Sequence, residues 1–118
     1  MELLKNRILK DGKALSENIL KVDTFLNHQV DPELMDEIAS EFFNRFNDST
    51  FSKILTVESS GIAPAVLTGL KMGIPVVFAK KAKPSTMNEE FFTAPVHSFT
   101  KQKDYEIAVA AKFIKKGE

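Results

Sequence analysis

The chain has 118 residues, the length of one small domain. Sixteen basic residues balance sixteen acidic ones, so bulk charge supplies no drive toward nucleic acid or an anionic membrane. There is no cysteine, which removes disulfides, thiolate metal sites and thiol nucleophiles and fits a reducing, cytoplasmic setting.

No apolar stretch is long enough to span a membrane, and "MELLKNRILKDG" interleaves charge with leucine rather than forming the apolar run of a signal peptide. Residues 2–10 put Leu3, Leu4, Ile8 and Leu9 on one predicted helical face, with Gly12 as the stop. Residues 14–30 read two ways: "NILKV" has strand character, and "FLNHQV" reads as an irregular, fairly apolar linker. "DPELMDEIASEFFNRFND" opens with Asp31 as an N-cap and Pro32 at the first helical position. Leu34, Met35, Ile38, Phe42 and Phe46 follow at three- and four-residue steps, which predicts a helix. Phe42, Phe43 and Phe46 form a stripe expected in the core or at a dimer surface.

"SKILTV" (52–57) is a continuous apolar strand of the kind expected with both faces covered. "APAVLTGLKMG" (63–73) predicts a helix of small residues, with Gly69 packed closely on a sheet, and "IPVVFA" (74–79) a second buried strand. Strand, helix and strand at this spacing predict a βαβ unit, parallel and right-handed. "KKAKPSTMNEEFFTAP" reads as a polar loop. "VHSFTK" and "YEIAVAAKFI" alternate like strands about a turn at "TKQKD", and "KKGE" reads as a turn leading onward.

Glu58, Ser59, Ser60 and Gly61 fall at the carboxyl end of the first apolar strand, just before a helix N-terminus. Ligands of open α/β sheets bind there, and free N–H groups with the helix dipole attract anions. Ser59 and Ser60 add hydroxyls, and Gly61 permits close backbone approach. Lys80 and Lys81 follow the neighbouring strand, in reach of the same anion. The plain alternative is a tight turn with surface lysines, because the stretch lacks the glycine spacing of a dinucleotide fingerprint or P-loop. His28 and His97 have no metal-ligand spacing. "NEE" at 88–90 reads as solvated, and "KKAKP" at 80–84 is too short and too poor in aromatics for a nucleic-acid site.

"ILKVDTFLNHQVDPELM", "KILTVESSGIAPAVLTGLKMGIPVVFAKK" and "VHSFTK" together resemble the bacterial xanthine phosphoribosyltransferases, a family of the type I phosphoribosyltransferase fold. The resemblance implies an α/β fold: a parallel sheet with flanking helices, an N-terminal hood and a flexible β-hairpin. It divides 1–118 into a hood (1–30), a helix plus βαβ core (31–80) and a flexible loop with hairpin (81–112), all within the N-terminal part of one domain. It implies transfer of a 5-phosphoribosyl group from phosphoribosyl pyrophosphate to xanthine, giving xanthosine monophosphate and pyrophosphate in purine salvage. Mg²⁺ would accompany the donor, the enzyme would be a homodimer, and neither nucleic acid nor membrane would be a partner.

By the same resemblance Glu58, Ser59, Ser60, Gly61, Lys80 and Lys81 bind the donor's pyrophosphate. Leu20 and Asn27 contact xanthine, and Ser98 in the hairpin is the candidate catalytic residue. Many relatives carry a Ser-Tyr pair there, from which Phe99 departs. The family's acidic-pair loop, which cradles the 5′-phosphate, has no match in these residues. The expectation is therefore a chain that is incomplete at its C-terminus and inactive by itself. The alternative is an effector-sensing domain of a purine transcriptional regulator. That alternative calls for a basic winged-helix segment ahead of the domain, whereas the N-terminal helix here is short and mixed in charge.

Overall fold

The computed structural model describes residues 1–83, 85, 89–98 and 101–118. Helix α1 (Glu2–Asp11) ends at Gly12. Its inward stripe is Met1, Leu4 and Ile8, while Leu3 and Leu9 are 50% and 83% exposed. The expected face of Leu3, Leu4, Ile8 and Leu9 is corrected: at about 100° per residue, Leu3 and Leu9 are turned away from the stripe that their neighbours form.

Strands β1 (Lys13–Ser16) and β2 (Ile19–Lys21) form a short antiparallel hairpin. Within residues 14–30 the strand character of "NILKV" is realised in β2, whereas "FLNHQV", expected to be an irregular linker, begins inside a helical turn. This π-helical turn spans Asp23–Asn27 and drives Phe25 wholly out of solvent, against Leu34, Met35 and Ile38. Helix α2 (Pro32–Phe46) supplies those three residues. Asp31 caps it, accepting the N–H groups of Glu33 and Leu34 at 3.1 and 3.2 Å, which satisfies two of the donors every helix start leaves open. Its far end is less enclosed: Phe42 and Phe46 are exposed and Phe43 half-buried.

The βαβ unit forms as the spacing predicts. Strand β3 (Ile54–Val57) and strand β4 (Val76–Ala79) are parallel, in register from Ile54↔Val76 to Val57↔Ala79, joined through helix α3 (Ile62–Met72). Helix α3 packs on α2 and on both strands. Gly69 makes that possible, since a Cβ there would meet the Ile74 carbonyl oxygen at 2.8 Å and Val76 Cγ2 at 2.7 Å. Gly73 ends α3 at φ 70°, ψ 32°, a left-handed conformation that glycine adopts without penalty. The expectation that both sheet faces are covered is corrected: Ile54 and Thr56 are half-buried, whereas Leu55 and Val57 are exposed.

Strand β5 (Phe91–Ser98) and strand β6 (Lys103–Ala110) form a long antiparallel hairpin, in unbroken register from Phe91↔Ala110 to Ser98↔Lys103. "FFTAP", read as loop from its proline, is strand. Pro95 is tolerated because β5 pairs on one side only among the described residues. One antiparallel bridge, Lys80↔Ala108, joins the hairpin to the end of β4. A 3₁₀ turn over Ala111–Phe113 follows, and the Glu118 carboxylate reaches Lys53 Nζ at 2.9 Å.

Candidate functional site

The site is built where β3 ends. Glu58 N–H donates to the Ala79 carbonyl at 3.0 Å, and the chain then leaves the sheet. The Glu58–Ser59 peptide is cis. Ser59 and Ser60 are exposed, and the Ser59 carbonyl accepts the Ile62 N–H at 3.2 Å as α3 begins. Helix α3 has no side-chain cap and no acidic residue in its first turn, so its partial positive end is left unneutralised by its own residues. Gly61 has ordinary helical angles, φ −74° and ψ −13°. What requires glycine there is space: a Cβ would lie 2.4 Å from Thr56 Oγ1.

Glu58 reaches across to the neighbouring strand, where its Oε2 accepts the Lys81 N–H at 3.1 Å. The Lys81 ammonium lies 5.7 Å from the centre of the Tyr105 ring on β6, so this residue touches both the loop and the hairpin. Lys80 is exposed and its backbone pairs with Ala108. Its side chain lines a cavity of about 280 Å³ between β4 and the hairpin, shared with Phe78, Glu89, Phe91 and Lys112. Successive residues of an extended segment point to opposite faces, which accounts for the different surroundings of Lys80 and Lys81.

The remaining sequence candidates fall on other elements. Leu20 is half-exposed on β2 opposite Ala14, and Asn27 is exposed at the end of the π-helical turn. Asp31 N–H to the Phe25 carbonyl, at 3.0 Å, ties that turn to the start of α2. Ser98 ends β5 opposite Lys103, and its Oγ accepts the Lys101 N–H at 3.3 Å. Phe99, Asn88 of "NEE" and Pro84 of "KKAKP" lie outside the described residues. Glu89 of "NEE" is paired with Lys112 rather than simply solvated.

Three contributors carried no sequence signal. Thr56 sits under Gly61, Tyr105 lies under Lys81, and Arg7 pairs with Asp31 at 2.6 Å beside the π-helical turn. Each acts across elements, so no local spacing marks it. Among the described residues no group of three His, Cys, Asp or Glu side chains is placed to hold a metal ion. An Mg²⁺ ion therefore finds no cage built by these residues.

No protein-family model matches the chain. The fold is that of the type I phosphoribosyltransferases. It superposes on the adenine phosphoribosyltransferase of Saccharomyces cerevisiae, solved with D-2,5-dideoxy-2,5-imino-altritol 1,6-bisphosphate and adenine, with a TM-score of 0.68 at 18% identity. That match covers 100% of this chain and 69% of the yeast one. In sequence the chain is similar to curated xanthine phosphoribosyltransferases. It is 53% identical to that of Oceanobacillus iheyensis over 114 residues, 97% of this chain and 59% of the relative. Identity to that of Clostridium acetobutylicum is 55% over 114 residues, 97% of this chain and 60% of the relative. The chain thus spans about three fifths of the length of these relatives.

Proposed function

We propose that these residues form the donor-binding loop and purine-facing segment of an enzyme that transfers a phosphoribosyl group from phosphoribosyl pyrophosphate to xanthine. The observation that carries this reading is the Glu58–Gly61 turn, set at the carboxyl end of β3 and bonded to Lys81, in a chain 53% identical to a xanthine phosphoribosyltransferase. In the reaction the bond from ribose C1 to pyrophosphate oxygen breaks and a bond from C1 to a purine nitrogen forms. The purine gives up its proton, and pyrophosphate departs with the electron pair. Negative charge grows on the departing group, where the N–H groups at the start of α3 and the Lys81 ammonium stabilise it. Ser59 and Ser60 add hydroxyl donors. Leu20 offers an apolar face to the purine and Asn27 an amide for its oxo edge. Ser98 rides on the hairpin that closes over the reacting centre and excludes water. Mg²⁺ belongs to this reading as an ion carried on the donor's oxygens, since such ions need few protein ligands. A homodimer working in the cytoplasm completes it. The regulator alternative gains no support from relatives that are named as transferases.

The test is formation of xanthosine monophosphate by the whole protein that carries these residues. Replacing Gly61 with valine is expected to raise the KM for phosphoribosyl pyrophosphate by about tenfold or more, the scale of one lost hydrogen bond, and to spare the KM for xanthine. Equal losses for both substrates overturn the loop assignment. Purine binding without any turnover returns the regulator reading.

A further inference from the structure

We propose that Glu58 is a positioning residue: its carboxylate serves as the last rung of the β3–β4 ladder, and it acts on the donor only through Lys81 and the turn it holds. The proposal rests on the functional reading above for its kinetic consequences, but its structural core is independent of that reading.

In this parallel pair the N–H of a β3 residue donates to the residue before its partner on β4, as Ile54 N–H does to the Pro75 carbonyl at 3.0 Å. Glu58 N–H repeats the pattern with the Ala79 carbonyl, at 3.0 Å. A ladder continued by one more step would have the Lys81 N–H donate to the main-chain carbonyl of Glu58. Instead, the Lys81 N–H goes to Glu58 Oε2, at 3.1 Å. The side chain stands in for the carbonyl of its own residue. The main chain of β3 is thereby released to turn into Ser59–Gly61, while β4 still runs on far enough to bring Lys80 and Lys81 beside that turn. The donor requirement of Lys81 is met at the moment the sheet ends.

Charge supports the same assignment. A carboxylate aimed at pyrophosphate would repel it. With an oxygen committed to the Lys81 N–H, Glu58 contributes as an acceptor, a role an amide oxygen fills as well.

Two variants separate the roles. Glu58→Gln keeps the acceptor and removes the charge, whereas Glu58→Ala removes both. By NMR-resolved amide exchange, Glu58→Ala is expected to speed exchange of the Lys81 N–H by about tenfold, the factor one such bond is worth, with Glu58→Gln close to wild type. In the whole protein, Glu58→Ala is expected to raise the KM for phosphoribosyl pyrophosphate by about the same factor with the KM for xanthine unchanged, and Glu58→Gln to stay within about twofold of wild type. Unchanged Lys81 exchange in Glu58→Ala overturns the rung. Equal damage from Glu58→Gln and Glu58→Ala overturns it in favour of a charge role. Absence of turnover in the wild type would sink the functional reading alone, since the exchange measurement needs no substrate.

Discussion

Arg7 joins three elements through one side chain. Its guanidinium bonds Asp11 within α1 and Asp31 at the start of α2, each at 2.6 Å, and lies 5.0 Å from the centre of the Phe25 ring. A planar fork with several donors suits that arrangement, and lysine would not reproduce it. The bond from Arg7, and then the Leu34 N–H, hold the Asp31 carboxyl below its usual range. A depressed carboxyl stabilises the fold above its unfolded value and ceases to do so as pH falls through the folded one. Asp31→Asn still caps α2 but cannot answer Arg7 with charge. Wild type should melt above Asp31→Asn at pH 7, with the gap closing as pH falls below about 3.9. Thermal melts followed by circular dichroism at pH 7 and in acid would show it, and a gap independent of pH would contradict it. Phe25 fills the space beneath Arg7 and is wholly buried. Phe25→Ala should cost about 3–5 kcal/mol in urea titration, and a loss under about 1 kcal/mol would mean the site collapses to fill itself. Asp31 was legible because Asp-Pro is a local signal. Phe25 was not, because its burial depends on Leu34, Met35 and Ile38 of a separate helix, with which it shares no local period.

At the scale of elements, the seat of α3 is the most exacting contact. Alanine is a better helix former than glycine by about 1 kcal/mol, yet at Gly69 its Cβ would press on the Ile74 carbonyl, which is main chain and cannot step aside. Gly69→Ala should therefore destabilise the fold, and by more than Gly73→Ala, where nothing lies within 4 Å and only the left-handed angle is penalised. Denaturant midpoints of the two variants decide it, and the reverse order would show that α3 shifts to make room. The same contrast explains what the sequence allowed. Strand β3, helix α3 and strand β4 carry their periodicity within themselves, and the turn at Glu58–Gly61 follows from where they end. Strand β5 carries a proline and becomes a strand only by pairing with β6. The bond from Lys81 to Glu58 and the contact from Lys81 to Tyr105 each span some two dozen residues, so no window along the chain displays them.

The molecule as a whole is flat, 48 × 38 × 20 Å, with a radius of gyration of 16.2 Å. A compact domain of this length has about 13.5 Å. Its accessible surface is 8824 Å², against about 6,400 Å² for a compact monomer of this mass. Many large apolar side chains are exposed. Phe42, Phe46, Phe51 and Leu55 line an open groove of about 430 Å³ along β3 and between α2 and α3, and all four are exposed. An exposed apolar surface of this kind binds hydrophobic dye and promotes self-association. The 118-residue chain should enhance the fluorescence of such a dye, and Leu55→Glu, which charges the groove, should reduce it. An equal signal from both would place the exposed surface elsewhere.

Among the described residues, the backbone hydrogen bonds that join the hairpin to the end of β4 are the two between Lys80 and Ala108, at 2.9 and 2.8 Å. Mechanically that bridge is a fulcrum. From Ala108 to the tip end of β6 at Lys103 the arm is about 17 Å long at ordinary strand rise, so a swing of about 10° carries the tip about 3 Å. The short end of the same lever is the main chain of Lys80, one residue from the Lys81 N–H held by Glu58. A swing of the hairpin would therefore load the loop by two routes, through this bridge and through the contact of Lys81 with Tyr105.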